Sequence, residues 1–234
     1  VLAFLDPDDS LAPEALQIMH DAHLERPECS IIHSTHYVCD ASMKVIRIAE
    51  YPKVLPHNTP FLLIGDGSVH HLATFKKSCY NRTPGLAEKR KIDKAVDMEL
   101  YYLLEEEGSI FFIDLPLYYY RIHSGSISNW GNENLAKIAH YNIIEQACLR
   151  RISKLRKNKS ADARHMMKRY RTRYHKVRIF HGFRKKNWIK FGTSLMIFPF
   201  VGGMDNLISY FKKLPVEGVS LIKKSFVTDY KIIE

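Results

Sequence analysis

Three aspartates follow the apolar start of the chain within four residues. Residues 1–5 form an apolar run typical of a buried strand, and Asp6, Asp8 and Asp9 come directly after it. Carboxylates this close repel one another unless a cation or hydrogen-bond donors offset their charge. A hard divalent ion is a natural partner, because Mg²⁺ uses one or two protein carboxylates and adds water and phosphate oxygens. The alternative is a solvated acidic turn in which Asp9-Ser10 caps the next helix.

A fourth aspartate, Asp97, falls in the first turns of a helix predicted over residues 93–107. Apolar residues recur along it at helical spacing: Val96, Leu100, Leu103 and Leu104. A positioned carboxylate can accept a proton from an attacking hydroxyl, which makes Asp97 a candidate general base. The alternative is an acid that only stabilises the helix start, but Asp93 fits that role better. Glu99, two residues further on, does not share the face of Asp97.

Arg121 and His123 end an aromatic-rich strand predicted over residues 117–123. A neutral imidazole is a competent metal ligand, and a guanidinium suits a phosphate. The chain has 12 histidines, so an ordinary structural or solvated histidine stays the alternative. His70-His71 are weaker candidates for lining a cleft, since ordinary surface histidines are as good an interpretation.

The segments that must position these groups alternate between strands and helices. The acidic turn is followed by a helix near residues 14–23, and a Pro- and Gly-rich loop covers 50–68. Further strands are predicted over four short segments: residues 30–33, 36–39, 72–75 and 110–114. The pattern predicts a mixed α/β fold. In open α/β sheets, ligand clefts form at the carboxyl ends of strands, where the acidic turn lies.

The order of these features resembles glycosyltransferase family 2 over residues 1–129. A strand ending in Asp-Pro-Asp-Asp is followed by the loop Thr83-Pro84-Gly85-Leu86, a helix with an early Asp-x-Glu-Leu, and a strand ending in Tyr-Arg-x-His. The resemblance implies that residues 1–130 are the carboxyl-terminal portion of a GT-A domain. That portion would be an incomplete Rossmann-like mixed sheet with flanking helices.

The resemblance also implies a role for each matching residue on the donor side. Asp6-Pro7-Asp8 is similar to the family's DxD motif, which holds a divalent ion, Mn²⁺ or Mg²⁺, and the ribose and diphosphate of a nucleotide-sugar donor. Asp8 is the favoured metal ligand, and Asp9 is a further donor-side residue. His123 is similar to the family's late histidine, which completes the metal or diphosphate site, and Arg121 is a weaker diphosphate contact.

On the acceptor side, Asp97 stands where the family has the Asp of its Glu-Asp pair, the general base. The chain departs from the pattern at Val96, where Glu is more usual. Gly85 and Leu86 occupy the loop that approaches donor sugar and acceptor in the family, and a missing Cβ permits close approach.

The activity implied by the resemblance is the inverting, metal-dependent transfer of a sugar from a nucleotide-diphosphate donor. The acceptor would be a hydroxyl of a cell-surface glycan or a lipid-linked molecule, in polysaccharide biosynthesis at the cytoplasmic face of the cell membrane. An inverting transfer needs only one carboxylate to accept the proton of the attacking hydroxyl, which agrees with a single base.

Charge is divided unequally along the 234 residues. Residues 1–130 hold 12 Lys and Arg against 18 Asp and Glu, whereas residues 131–234 hold 23 against 7. The 46% of hydrophobic residues is enough for a buried core and excludes a wholly disordered chain. We predict two parts, an acidic globular part over 1–130 and a basic, mostly helical extension over 131–234 with long helices at 135–157 and 161–186.

The basic extension suits an anionic membrane surface, nucleic acid or an acidic protein. Aromatic residues between the cations favour the membrane, because Trp188 and the apolar run 191–201 can enter the interface while residues 184–186 and Lys190 meet phosphates. The alternative is an extension packed on the catalytic domain. A nucleic-acid-binding protein without catalysis is the second functional hypothesis, but it leaves the acidic turn unexplained, and nucleic acid is the less expected partner.

Features of the whole chain indicate a reducing compartment. The spacing of its four cysteines fits neither a zinc site nor a redox pair: Cys29, Cys39, Cys79 and Cys148.

No apolar run is long enough for a membrane span. Because residues 1–5 are predicted to be a buried strand, we expect an upstream segment to supply its neighbours. A fragment that is catalytically incomplete without that segment is therefore a third hypothesis.

Overall fold

The computed structural model describes four stretches of the chain, residues 1–64, 67–86, 95–123 and 133–203. The chain divides into two compact units, Val1–Arg150 and Arg151–Glu234. One helix, α5 (Glu133–Leu155), runs through the point of division. The assignment of residues 1–130 to a GT-A portion and of 131–234 to an extension stays a prediction.

A six-stranded sheet forms the centre of the first unit. Its strands are β1 (Leu2–Ala3), β2 (Ser10–Leu11), β3 (Cys29–Cys39), β4 (Val45–Ile48), β5 (Ala73–Phe75) and β6 (Ser109–Arg121). The order across the sheet is β1-β5-β3-β6-β2, and β4 pairs with β3 off this path. Strands β3 and β6 run parallel, while the other pairs are antiparallel. The predicted α/β class, with a mixed sheet, flanking helices and a helical carboxyl-terminal part, is confirmed.

Strands β3 and β6 are each longer than predicted. The sequence predicts separate strands over residues 30–33 and 36–39, and likewise over 110–114 and 117–123 on either side of Pro116. Instead both strands continue, and the register between them shifts where Thr35 faces Pro116. Proline has no N–H to donate to the ladder, so a local irregularity in the pairing lets each strand pass this point.

The described residues of the first unit form four helices that lie wholly within it: α1 (Ala15–Glu25), α2 (Phe61–Ile64), α3 (Lys77–Tyr80) and α4 (Val96–Leu104). The predicted helix near 14–23 is confirmed by α1, whose Ala15 and Met19 are buried against Leu72 and Tyr118 of the core. This contact packs α1 against the part of β6 that carries the candidate site. The predicted cap Asp93 of α4 lies outside the described residues.

Strand β1 is more exposed than the sequence indicated. It stands at one end of the sheet order and pairs with β5, with Leu2 opposite Phe75. The side chain of Leu2 is 37% exposed and that of Leu5 is 52% exposed. The sequence predicts burial of this strand by neighbours from an upstream segment, so its exposure within residues 1–234 does not test that prediction; apolar composition alone does not distinguish an edge strand from a central one.

Up to residue 203, the second unit contains the end of α5 and two further helices, α6 (Ala161–Arg184) and α7 (Trp188–Gly202). Helices α5 and α6 confirm the predictions over 135–157 and 161–186. The N-cap residues Ser160 and Asn187 each accept a hydrogen bond from a backbone N–H three residues further on. Buried Ile179 and Phe198 form the contact between α6 and α7. Among the described residues, none of the helices has both the length and the apolar character needed to cross a bilayer.

Candidate functional site

The acidic turn, residues 6–9, lies beside the carboxyl-terminal end of β6. The N–H of Asp9 donates to the carbonyl of Asp6 at 3.2 Å and closes the turn. Strand β2 follows at once and pairs with β6, with Ser10 opposite Tyr119. A two-residue strand therefore holds the acidic turn against a long strand of the sheet, which is the position expected for a ligand site in an α/β fold.

Asp9 ties the acidic turn to β6. The hydroxyl of Tyr118 donates to Asp9 Oδ2 at 2.7 Å, and the backbone N–H of Arg121 donates to Asp9 Oδ1 at 2.7 Å. Burial raises the pKa of Asp9, although both hydrogen bonds oppose that shift. The alternative in which Asp9 caps α1 is wrong, because the cap position is Glu14 and has no side-chain hydrogen bond. The predicted contact of Asp9 with a donor stays a prediction.

Asp8 and His123 form a close pair at the outer edge of the turn. His123 Nε2 lies 2.7 Å from Asp8 Oδ2, and the two side chains are 32% and 42% exposed, respectively. The hydrogen bond from His123 lowers the pKa of Asp8, and the charge of Arg121 acts in the same direction. The two predicted metal ligands are therefore neighbours although 115 residues separate them in the chain.

The Asp8–His123 contact is a hydrogen bond between an imidazole and a carboxylate. Both groups are competent ligands of a divalent cation, which would take the place of the proton between them. Within the described part of the chain, no cluster of three or more His, Cys, Asp or Glu side chains is arranged to hold a metal. A cation at this pair would therefore take its other ligands from water or from a bound phosphate, as Mg²⁺ commonly does.

Asp97 lies half-buried in the first turn of α4. Its negative charge and that of Asp6 both act on the ring of His71 and on the phenol of Tyr101. The charge of Asp9 also acts on His71. Electrostatic effects fall with distance, so the three carboxylates lie near one imidazole. We call Asp6, Asp9, Asp97 and His71 together the carboxylate site.

His71 is the residue that sequence reasoning underrated. Its ring stacks on Tyr118, with centroids 4.8 Å apart and planes 13° from parallel, and it also stacks on Tyr120. Burial lowers the pKa of His71, while the three carboxylates oppose that shift. The interpretation of an ordinary surface histidine is wrong for this residue. The only sequence signal was its place in a His-His pair just before β5, because the carboxylates around it come from distant segments.

Arg121 contributes to the site through its backbone and its charge. Its N–H bonds to Asp9, and its guanidinium charge lowers the pKa of Asp8. The side-chain Nε is buried and has no hydrogen-bond partner among the described residues. The cation is therefore next to the predicted metal ligand, and its predicted contact with a diphosphate stays a prediction.

The predicted acceptor loop is anchored on α3. Gly85 has a φ of 73°, in the left-handed region that glycine tolerates without strain, and its N–H donates to Thr83 Oγ1 at 3.1 Å. The N–H of Leu86 donates to the hydroxyl of Tyr80 at 3.2 Å, and Leu86 is 37% exposed. These bonds fix the conformation of the loop. The place of Gly85 and Leu86 beside an acceptor stays a prediction.

Neither family models nor curated proteins offer a relative for comparison. A scan against models of protein families finds no match for the chain, and neither does a search of curated proteins. The fold and site define an α/β protein with carboxylates gathered at the carboxyl end of β6. Its function is therefore argued from the chemistry of that site.

Proposed function

We propose that this protein is an inverting, metal-dependent glycosyltransferase. It moves a sugar from a nucleotide-diphosphate donor to a hydroxyl of a cell-surface glycan or a lipid-linked acceptor, at the cytoplasmic face of the cell membrane. The observation that supports this most is that Asp6, Asp9 and Asp97 all act on His71. Their shared effect on one imidazole supports a common site for the acidic turn and Asp97, which a reaction between a bound donor and an acceptor requires.

The donor half of the proposal rests on the acidic turn and on the residues after β6. Asp8 and His123 would hold Mn²⁺ or Mg²⁺, which when bound offsets the negative charge of a departing diphosphate. Arg121 adds a second positive charge next to Asp8. Asp9, whose two oxygens are bonded to β6, keeps the turn in the shape that presents Asp6 and Asp8.

The acceptor half rests on Asp97. Its carboxylate takes the proton of the acceptor hydroxyl while that oxygen attacks the anomeric carbon. One oxygen–carbon bond forms as the bond from the anomeric carbon to the diphosphate oxygen breaks, and the configuration inverts. The stacked rings of His71 and Tyr118 form a wall beside the base, which limits where an acceptor can lie.

Substitution of Asp97 by asparagine tests the reaction. The full chain is supplied with a panel of UDP- and GDP-sugars and Mn²⁺, and release of the nucleoside diphosphate is measured together with calorimetric binding. We expect Asp97→Asn to lower the release rate by about 10² to 10⁴-fold while Mn²⁺ and donor still bind. The matched control is Asp114→Asn on the exposed part of β6, which we expect to be as active as the unchanged chain.

Two results would overturn the proposal. Turnover that survives in Asp97→Asn rejects this residue as the base. An unchanged chain that binds none of the nucleotide-sugars at millimolar concentration rejects the activity for residues 1–234, and agrees with the hypothesis of a catalytically incomplete fragment.

One observation favours a second function, the binding of nucleic acid. Residues 151–234 hold 21 Lys and Arg against 5 Asp and Glu, and a basic surface attracts any polyanion. This hypothesis gives the acidic turn and Asp97 no role. It predicts tight oligonucleotide binding and no affinity for nucleotide-sugars.

A further inference from the structure

One side of α7 presents exposed apolar side chains, with the polar Thr193 between them. Ile189, Met196 and Phe200 are 80%, 76% and 88% exposed. Their spacing of seven and four residues puts them on the same side of the helix. The opposite side is the one that packs, because Ser194 and Phe198 are buried there. The exposed stripe is therefore additional to the contact between α6 and α7.

The apolar stripe continues to the turn between the two helices. Phe183 and Trp188 are 54% and 59% exposed, and their rings meet edge to face with centroids 6.3 Å apart. Lys185 and Lys186 lie exposed in the same turn. Aromatic rings next to lysines are typical of the boundary between water and lipid, where the ring enters the interface and the ammonium meets phosphate.

Charge is segregated from the stripe. The only charged residue of α7 is Lys190, whose Nζ lies 3.1 Å from Nδ1 of His181 on α6. Over residues 151–203 there are 16 Lys and Arg and a single acid, Asp162. A strongly cationic unit thus presents an uncharged apolar stripe, a combination that complements anionic headgroups above acyl chains.

The length of α7 agrees with a helix that lies on a membrane. Its 15 residues span about 22 Å, less than the roughly 30 Å of a bilayer core. Nucleic acid would be bound by the cations but would leave the apolar stripe in water. Scattered exposed apolar residues are ordinary, whereas a continuous stripe on one helix indicates a contact surface.

We propose that α7 docks on an anionic lipid bilayer and lies in the plane of the interface. Ile189, Met196 and Phe200 enter the boundary of the acyl chains, Trp188 lies at headgroup level, and Lys185 and Lys186 bind lipid phosphates. This proposal does not rest on glycosyltransferase activity and holds whether or not the carboxylate site is catalytic.

The fluorescence of Trp188 reports the docking directly. The chain has two tryptophans, so Trp130→Phe leaves Trp188 as the only one. We expect vesicles of phosphatidylcholine and phosphatidylglycerol to shift its emission to shorter wavelength and to sediment the protein. Vesicles of phosphatidylcholine alone should bind it at least ten-fold more weakly, because the cations then lack partners. No shift and no sedimentation with the anionic vesicles would overturn the proposal.

Substitutions locate the surface. The triple variant Ile189→Ser, Met196→Ser, Phe200→Ser removes the stripe, and we expect vesicle binding to fall at least ten-fold. The matched control is Leu16→Ser, Leu24→Ser on α1, whose side chains are 61% and 68% exposed and which should bind as the unchanged chain does. Circular dichroism checks that both variants keep their helices. Unchanged binding of a folded triple variant, or equal loss in the control, would reject α7 as the surface.

Discussion

The hydroxyl of Tyr118 makes two hydrogen bonds to the acidic turn. It accepts the N–H of Asp6 at 3.2 Å and donates to Asp9 at 2.7 Å. Because Asp9 is partly buried, loss of a donor leaves one of its oxygens without a protein partner. The shape of the site therefore depends on one phenol as well as on the carboxylates.

We expect Tyr118→Phe to lower the free energy of unfolding of the first unit by about 1–3 kcal/mol, the cost of an unsatisfied buried group. Chemical denaturation followed by circular dichroism measures it. The control is Tyr119→Phe, whose ring stacks on Tyr37 at 4.8 Å and keeps that contact without the hydroxyl. Equal stability of the two variants would show that the Tyr118 hydroxyl does not hold the turn.

His33 makes the free energy of unfolding depend on pH. It is fully buried on β3, its two ring nitrogens have no hydrogen-bond partner among the described residues, and burial lowers its pKa from 6.5 to about 4. The unfolded chain takes up a proton below pH 6.5 that the folded chain does not take up until about pH 4. His33 therefore does not change the free energy of unfolding above pH 6.5. Between pH 6.5 and pH 4 it lowers the free energy of unfolding by about 3 kcal/mol.

The variant His33→Leu should lose less stability than the unchanged chain between pH 6.5 and pH 4. Urea unfolding at a series of pH values measures this difference. The control His57→Leu replaces an exposed histidine and should keep the original pH dependence. A His33→Leu curve parallel to that of the unchanged chain would contradict the pKa assigned to His33.

Sequence reasoning was effective at this scale where chemistry is local. The resemblance to glycosyltransferase family 2 implies that Asp8 and His123 share a metal site; their side chains are in contact, and the metal site stays a prediction. His71 was given little weight because its significance comes from stacking on Tyr118, 47 positions away. Stacking between distant segments leaves no pattern in the residues on either side.

At the scale of elements, the approach of β3 to the start of β6 leaves no room for a side chain at Gly108. A Cβ there would lie 2.7 Å from the carbonyl oxygen of Glu28 and 2.9 Å from the backbone nitrogen of Ser30. Both neighbours are backbone atoms and cannot rotate away. Gly108, which follows α4 and the turn after it, thus allows the parallel strands to pair.

We expect Gly108→Ala to destabilise the first unit by about 1–3 kcal/mol, because the strands must separate to relieve the clash. Thermal unfolding measures the change. The control is Gly192→Ala in α7, where a Cβ meets nothing within 4 Å and removal of a helical glycine should stabilise by about 0.5–1 kcal/mol. A Gly108→Ala protein as stable as the unchanged chain would show that the strand pair adjusts freely.

The elements themselves were predictable to different degrees. Helices α5 and α6 followed from their apolar and basic spacing, which is a local signal. The prediction divides β6 at Pro116, because proline disfavours a strand interior, and also divides β3 near Thr35; only the pairing of the two strands reveals the register shift there. The exposure of β1 likewise depends on its place at the end of the sheet, which composition does not encode.

At the scale of the whole molecule, the net charge of +10 conceals two units of opposite sign. Residues 1–150 hold 14 Lys and Arg against 20 Asp and Glu, whereas residues 151–234 hold 21 against 5. The acidic unit contains the carboxylate site, and the basic unit contains α7. Polyanions are therefore attracted to the second unit whatever its function is.

We expect oligonucleotides to bind this protein weakly and without sequence preference. Such binding depends on counterion release, so it should weaken steeply between about 50 and 200 mM salt. Fluorescence anisotropy of labelled DNA and RNA across that range measures it, with binding of anionic vesicles as the comparison. Sequence-dependent binding that persists at about 200 mM salt would favour the nucleic-acid hypothesis over the transferase.

The hydrogen bonds between Asp9 and β6 have a consequence for the way a ligand arrives. They form within the chain during folding, so the turn loses its conformational entropy at that stage and not on association. A ligand that binds at Asp6 and Asp8, as we propose, would meet a turn that already has its final shape. We therefore expect its association to be a single kinetic step, without a slower rearrangement of the turn.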